Sequence, residues 1–352
     1  MQRWKPATIF WASCFALLFL PAFHKPEIGF SPVFYAFSTV ASMLAAWALV
    51  QYSPAVLARV FRWVYAVCTV AVFIMLSMHA GEPEPLGQLL PNSSTNAIPS
   101  YMLVLQVGVS LSYFAQNNRL PMLSPWITGW IAFLGLGRGS LIVAGLLIAA
   151  TLAFNLIGRK NNGGRQLFRA FLLLLLLAIA FLVGPMAYEW VASNTKLSSG
   201  LMDIHRTEIF VAYWNKLDMV SFFVGTDFSG TVIAEVYNGN PHVALLRTHS
   251  FFGLPLTLMA LLSPLVVLWA PISRRHKWVY SSFYGLLVLR SMTEPILFPT
   301  LLDLIYFACL FIPFRRDTIP PSKFSKSLVH VTISGLSKPS PQANNPAHEP
   351  SR

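Results

Sequence analysis

The feature that most constrains this chain is the length of its apolar runs. Ser140–Ile157 and Leu167–Val191 are nearly unbroken by charge. A helix needs about 20 apolar residues to cross a bilayer, whereas a transmembrane strand alternates apolar and polar residues over about 10. These runs do not alternate, so an all-α polytopic membrane protein is expected. Composition agrees, with 55% of the 352 residues hydrophobic and 11% charged, against about 25% charged in a soluble domain. That balance excludes a disordered chain, a fibrous repeat and an ordinary water-soluble enzyme.

About ten transmembrane helices are predicted, near residues 7–23, 32–51, 63–79, 101–117, 122–136, 139–157, 168–191, 250–271, 278–292 and 295–314. The first run has no small-residue cleavage site and reads as a retained helix rather than a removed signal peptide. Cys14, Cys68 and Cys309 each fall inside an apolar run. Neither an extracellular disulfide nor a zinc site is expected of them.

A net charge of +12 is often a nucleic-acid signal, but here the basic residues sit in short clusters between apolar runs. Cytoplasmic loops of membrane proteins collect Lys and Arg in this way. With the N-terminus inside, only Lys25, Arg138, Lys196, Arg206, Lys216, Arg247 and Arg290 of the 25 basic residues fall outside, together with most of the 13 acidic ones. Both termini are therefore expected in the cytoplasm, with lipids and no nucleic acid as partners. Residues 1–319 are expected to form the membrane domain. The tail at 320–352 is rich in Ser, Pro, Lys and Asn, and is expected to be disordered.

The outer segment at 192–249 holds most of the outside charge. Within it Ile209, Phe210, Tyr213, Trp214 and Leu217 fall on one face of a helical pattern, with Glu208, Asn215 and Lys216 elsewhere. Such a helix either lies at the membrane interface or packs against the spans. Either way it caps the outer mouth of the bundle, as one of several short helices in a large periplasmic loop.

Outward charges that orientation does not need are the candidates for chemistry. Arg138 lies in Gly135-Leu136-Gly137-Arg138-Gly139-Ser140. The glycines let backbone approach a ligand. A guanidinium fork with nearby N–H groups can hold a phosphate, although an arginine there can also snorkel to lipid headgroups. Arg206 opens the amphipathic pattern, His242 follows Asn240-Pro241, and Arg247 and His249 precede the eighth span. Histidine titrates near neutrality and can act as a general base. The outer loops offer no His/Asp/Glu cluster with metal spacing, so no metal or other cofactor is expected. Asp303 stands amid Leu301, Leu302, Leu304 and Ile305. A carboxylate at that depth faces the bundle interior or a water-filled cavity, and serves proton coupling in a transporter or bonding to a neighbouring span. Gln106 and Asn155 are expected to bond between helices.

His242-Val243, nine residues and then Gly253 resembles the histidine signature of bacterial O-antigen ligases and polysaccharide polymerases. In that family Asn, Ser or Gln usually follows the histidine, and a second glycine comes three residues after the first; here those positions are Val243 and Leu256, while Thr257 agrees with a threonine often found there. Gly137-Arg138-Gly139-Ser140 is similar to the family's Ser-Arg-Gly stretch. Arg206 with Trp214 downstream resembles the arginine that opens its external loop, and Gly225 before Thr226-Asp227 fits its glycine turn. The likeness covers about residues 125–270.

The resemblance implies a metal-independent inner-membrane glycosyltransferase of cell-surface polysaccharide biosynthesis. Its donor would be a polyprenyl-diphosphate-linked glycan at the periplasmic face. It implies His242 as the base for an acceptor hydroxyl, Arg138 and Arg206 as diphosphate ligands that stabilise the leaving group, and Arg247 as a further ligand. A lipid-linked repeat as acceptor makes a polymerase, slightly favoured here by the short chain and partial signature; lipid A-core as acceptor makes an O-antigen ligase. A transporter or flippase of lipid-linked glycan is the alternative of another class.

Overall fold

A computed structural model describes residues 17–19, 31–82, 85–88, 95–157, 189 and 204–315. Among the described residues the elements are helices, with no strand. In chain order they are α1 Ser31–Val50, α2 Pro54–Met78, α3 Pro85–Gln88, α4 Ala97–Asn117, α5 Leu123–Leu134, α6 Arg138–Ile157, α7 Ile204–Lys216, α8 Met219–Val224, α9 Val232–Glu235, α10 Ala244–Leu268, α11 Arg274–Ser291 and α12 Asp303–Phe311, which runs into a 3₁₀ turn at Ile312–Phe314.

Local sequence explains several boundaries. Ser53 caps α2 by accepting the Val56 N–H at 3.4 Å, with Pro54 in the first turn, where a missing N–H does no harm. Ser273 caps α11 by accepting the His276 N–H at 3.4 Å. Asp218 and Ser221 form a capping box at the start of α8. That box satisfies two N–H groups the helix cannot satisfy itself.

Five helices are long and apolar enough to cross a membrane: α1, α2, α4, α6 and α10. In α4, 78% of the apolar window is buried, against 17–33% in the other four. The axis of the bundle is therefore α4, with α2, α5, α6, α11 and α12 packed around it. The outer faces of the other long helices present apolar side chains such as Phe34, Val67, Ile142 and Leu265, as lipid-facing surfaces do.

Ten spans are more than the described residues hold. The expected spans near 7–23 and 168–191 lie largely outside them. The fifth becomes α5, whose 12 residues reach about 18 Å against a hydrocarbon core of about 30 Å. The third begins earlier than expected, at Pro54, so Arg59 and Arg62 ride on the helix. The tenth does not start until Asp303, because the backbone from Thr293 to Leu302 is folded into turns.

The bundle has two chemically different ends. At one, Arg275 at the start of α11 donates to Asn118 Oδ1 at 3.1 Å and to the Phe154 carbonyl at 3.3 Å. The Asn155 side chain pairs there with both the N–H and the carbonyl of Leu120, each at 3.0 Å. At the other end the start of α4, the α5–α6 turn, the end of α11 and the outer segment beginning at α7 come together. Asn155 thus bonds between helix ends as expected, whereas Gln106 bonds within its own helix, to Ser110 at 2.9 Å.

Candidate functional site

Arg290 is the organising residue of that second end. It lies in the last turn of α11 and is 1% exposed. Its Nη1 donates to Thr293 Oγ1 at 2.6 Å, and its Nη2 to Ser100 Oγ at 2.6 Å. Nη2 also lies 3.4 Å from Glu294 Oε1, and the same oxygen lies 3.6 Å from Arg206 Nη2. One carboxylate therefore bridges two guanidinium groups from different parts of the chain.

The glycine-rich turn before α6 is fitted against this pair. A Cβ at Gly139 would stand 2.9 Å from Arg290 Nη1 and 3.0 Å from Thr293 Oγ1. A Cβ at Gly137 would collide with Asn96 Oδ1. Glycine at both positions lets these side chains approach without shifting. Arg138 lies between them as the first residue of α6. Its backbone is flanked by Asn96 on one side and Arg290 on the other. The initial N–H groups of a helix carry partial positive charge.

Burial pushes the Glu294 carboxyl above its ordinary range, although Arg290 and Arg206 both pull it down. Even with Glu294 ionised, two guanidinium groups outweigh one carboxylate. Asn96 Oδ1, Ser140 Oγ and Arg290 Nε are buried without a hydrogen-bond partner. Buried polar atoms normally have partners, so this cluster has bonding capacity in reserve. Arg290 Nε and Ser140 Oγ can donate, while Asn96 Oδ1 only accepts; the net positive charge, the helix start and those two donors suit an anion of the phosphate class.

His242 sits on the turn before α10, half-buried, with φ 52°. Its own N–H donates to Asn240 Oδ1 at 3.0 Å, a local bond that makes this backbone bend tolerable. Its ring stands edge-on to Tyr237 at 5.5 Å, and the Tyr237 hydroxyl is 3.0 Å from His205 Nδ1. His205 precedes Arg206 on α7. A chain of rings therefore links His242 to the helical turn that carries Arg206.

Two expected site residues are committed elsewhere. Arg247 was expected from the sequence among the diphosphate ligands; its guanidinium instead donates to the carbonyls of Pro295 at 2.5 Å, Leu297 at 2.9 Å and Phe298 at 3.2 Å. Asp303 is the first residue of α12, not a mid-helix carboxylate. It accepts the N–H groups of Phe298 and Thr300, each at 2.9 Å. Together Arg247 and Asp303 fix the turn that follows Glu294, which is how they reach the site.

Of the five residues the sequence put on one face, Ile209 and Tyr213 are buried and Leu217 packs beside them, whereas Phe210 and Trp214 are exposed. Ile209, Tyr213, Phe228, Ile233, Val243 and Leu246 form a small second core. His249, buried in α10, accepts the Tyr213 hydroxyl at Nδ1 (2.8 Å) and donates from Nε2 to the Phe222 carbonyl (2.8 Å). Burial pushes the Tyr213 phenol well above its usual range, which keeps it a neutral donor. His249, which the sequence shows only as a residue before the eighth span, is a brace between α7, α8 and α10. Gly253 breaks α10 with φ 71°, and a Cβ there would strike the Phe223 carbonyl; one at Gly225, φ 81°, would strike the His249 carbonyl. These two glycines let α8 lie directly on α10. Lys216 closes the segment by donating to Asp227 Oδ1 and to the Ser229 carbonyl.

Sequence reasoning did not single out Glu294 and counted Arg290 only as an outward cation. The available signal was a basic residue against the charge bias, followed four residues later by a carboxylate. Among the described residues no group of three His, Cys, Asp or Glu could hold a metal ion. Compared with known proteins, the chain matches no family model, no curated protein and no solved structure.

Proposed function

We propose that this chain is a membrane glycosyltransferase that moves a glycan from polyprenyl diphosphate to a sugar acceptor. The observation that carries the proposal is the convergence of Arg206 and Arg290 on Glu294 beside the helix start at Arg138. In this mechanism Arg138 and Arg206 hold the donor diphosphate, and the buried Arg290 adds positive charge behind them. Guanidinium forks suit phosphate oxygens geometrically. His242 takes the proton from the acceptor hydroxyl as that oxygen attacks the anomeric carbon. The bond from sugar to diphosphate then breaks, and the new charge on the leaving diphosphate falls on the arginines. The long apolar helices supply a surface for the polyprenyl tail.

The charge bias of the loops supports an orientation with both termini in the cytoplasm and this end of the bundle on the opposite side. The family resemblance favours a bacterial inner membrane with this end at its periplasmic face. Between acceptors, the partial histidine signature slightly favours a lipid-linked repeat, hence a polymerase, over lipid A-core, hence an O-antigen ligase. A flippase has less to rest on, because both Asp303 carboxylate oxygens already accept backbone N–H groups. The test is to supply membranes containing the protein with polyprenyl-diphosphate-linked glycan and separate the products by size. A ladder of lengths on the carrier supports the polymerase, and transfer onto lipid A-core supports the ligase. Glycan that crosses the membrane without a new glycosidic bond would refute both.

A further inference from the structure

The sides of α7 and α8 turned away from the small outer core carry a group of exposed apolar side chains, with Thr207, Glu208 and Asn215 exposed beside them on α7. On α7, Ile209 and Tyr213 are buried, while Phe210, Val211 and Trp214 stand out, Trp214 at 66% exposure. On α8, Met219, Val220 and Phe223 are exposed, Met219 at 84%. Trp214 and Phe222 meet edge to face at 6.2 Å, so the two short helices share one surface. An exposed apolar patch of this kind marks an interaction site.

Two of the charged groups at the elbow between α7 and α8 are satisfied locally. Lys216 reaches back to Asp227 and Ser229, and Asp218 is engaged with Ser221 in the capping box. The patch also continues a surface already apolar. Here α8 lies along α10, whose outer side below Gly253 exposes Leu258, Leu261, Leu262 and Leu265. That row faces lipid if α10 spans the membrane. Aromatic rings with a polar edge, tryptophan above all, collect at the boundary between headgroups and acyl chains.

We propose that α7 and α8 form a wedge seated in the headgroup–acyl boundary of the leaflet at the arginine end. The occupant of the patch is membrane lipid, and the wedge holds Arg206 at the depth of lipid phosphates. A helix lying in the interface buries its apolar face about 5–10 Å into that boundary. This inference is independent of the glycan-transfer reading, since it concerns only where the outer segment sits.

Trp214 is its own reporter. The full chain and its Trp214→Phe variant are placed in phosphatidylcholine nanodiscs with plain or brominated acyl chains. The difference between their emission spectra isolates Trp214. That difference signal should lose intensity in brominated lipid and resist the water-soluble quencher acrylamide. Quenching by acrylamide and not by bromine would place the patch in water and overturn the wedge. Protection from both would mean that protein covers it, a second copy included, and would equally overturn it. Because Trp214 is exposed, its replacement by Phe leaves the core intact, and circular dichroism of the two proteins should coincide.

Discussion

Arg206 and Glu294 meet at 3.6 Å, joining the first turn of the outer segment to the turn between α11 and α12. Through that carboxylate Arg206 is coupled to Arg290, which is almost fully buried. The pair is asymmetric: the Arg206 side chain is 30% exposed and that of Glu294 7%. Function and fold can therefore be separated by substitution.

Glu294→Ala leaves the Arg290 guanidinium buried and short of its counter-charge. Breaking a buried pair in this way costs about 3–5 kcal/mol. Arg206→Gln removes the more exposed arm, worth no more than about 1 kcal/mol. Thermal unfolding in detergent should show a large drop for Glu294→Ala and a small one for Arg206→Gln. Equal drops would mean that Arg206 is structural.

His249→Ala should destabilise the outer segment, not merely trim an interfacial side chain. It strands the buried Tyr213 hydroxyl and the Phe222 carbonyl. Each unsatisfied buried group costs about 1–3 kcal/mol. Proteolysis within 204–243 should accelerate in this variant, while the transmembrane fragments stay intact. An unchanged cleavage rate would contradict the bracing role.

The Lys216–Asp227 contact predicts how that segment responds to acid. Burial alone would raise the Asp227 carboxyl, but hydrogen bonds from Lys216 and Ser229 outweigh it and hold it below its ordinary 3.8. A carboxyl whose folded value is depressed adds stability that is present above its unfolded value and lost as pH falls through the folded one. Protease resistance of the segment should hold at pH above 3.8 and decline below it. Asp227→Asn should weaken the segment at neutral pH and flatten the decline. A wild-type decline already complete near neutrality would rule this contact out as the cause.

Arginines that carry the diphosphate charge make a divalent cation unnecessary. Glycan transfer should survive excess chelator, and loss of activity restored by magnesium or manganese would count against the arginine assignment. Arg138→Lys should be poor even at normal protein levels, because a point charge cannot reproduce the planar fork.

How much of this was legible in the sequence depends on the range of the interactions. The apolar runs revealed α1, α4 and α6 because helix formation in lipid is set by local composition. His242 and Arg206 could be singled out as outward charged or titratable residues, and Gly253 and Gly225 through the family resemblance, but not what they touch. Gly225 and Gly253 matter because α8 lies on α10, which no local pattern encodes. Arg247 and Asp303 both look like chemistry in a one-dimensional reading, since charge near apolar runs is unusual. In three dimensions they are spent on the backbone of the Pro295–Thr300 turn. Glu294 escaped notice because a lone carboxylate between two spans resembles a loop residue until Arg206 arrives from far along the chain.

The central claim is that His242 serves transfer at the arginine cluster, and one comparison tests it most directly. Membranes with matched levels of wild type, His242→Ala and Arg206→Gln are given polyprenyl-diphosphate-linked glycan and acceptor, and initial rates are read from the sized products. His242→Ala should insert normally and lose about 10²–10⁴-fold in rate, the range for removal of a general base, and Arg206→Gln should fall with it. Undiminished transfer by well-folded His242→Ala would remove the base from the mechanism and contradict the assignment.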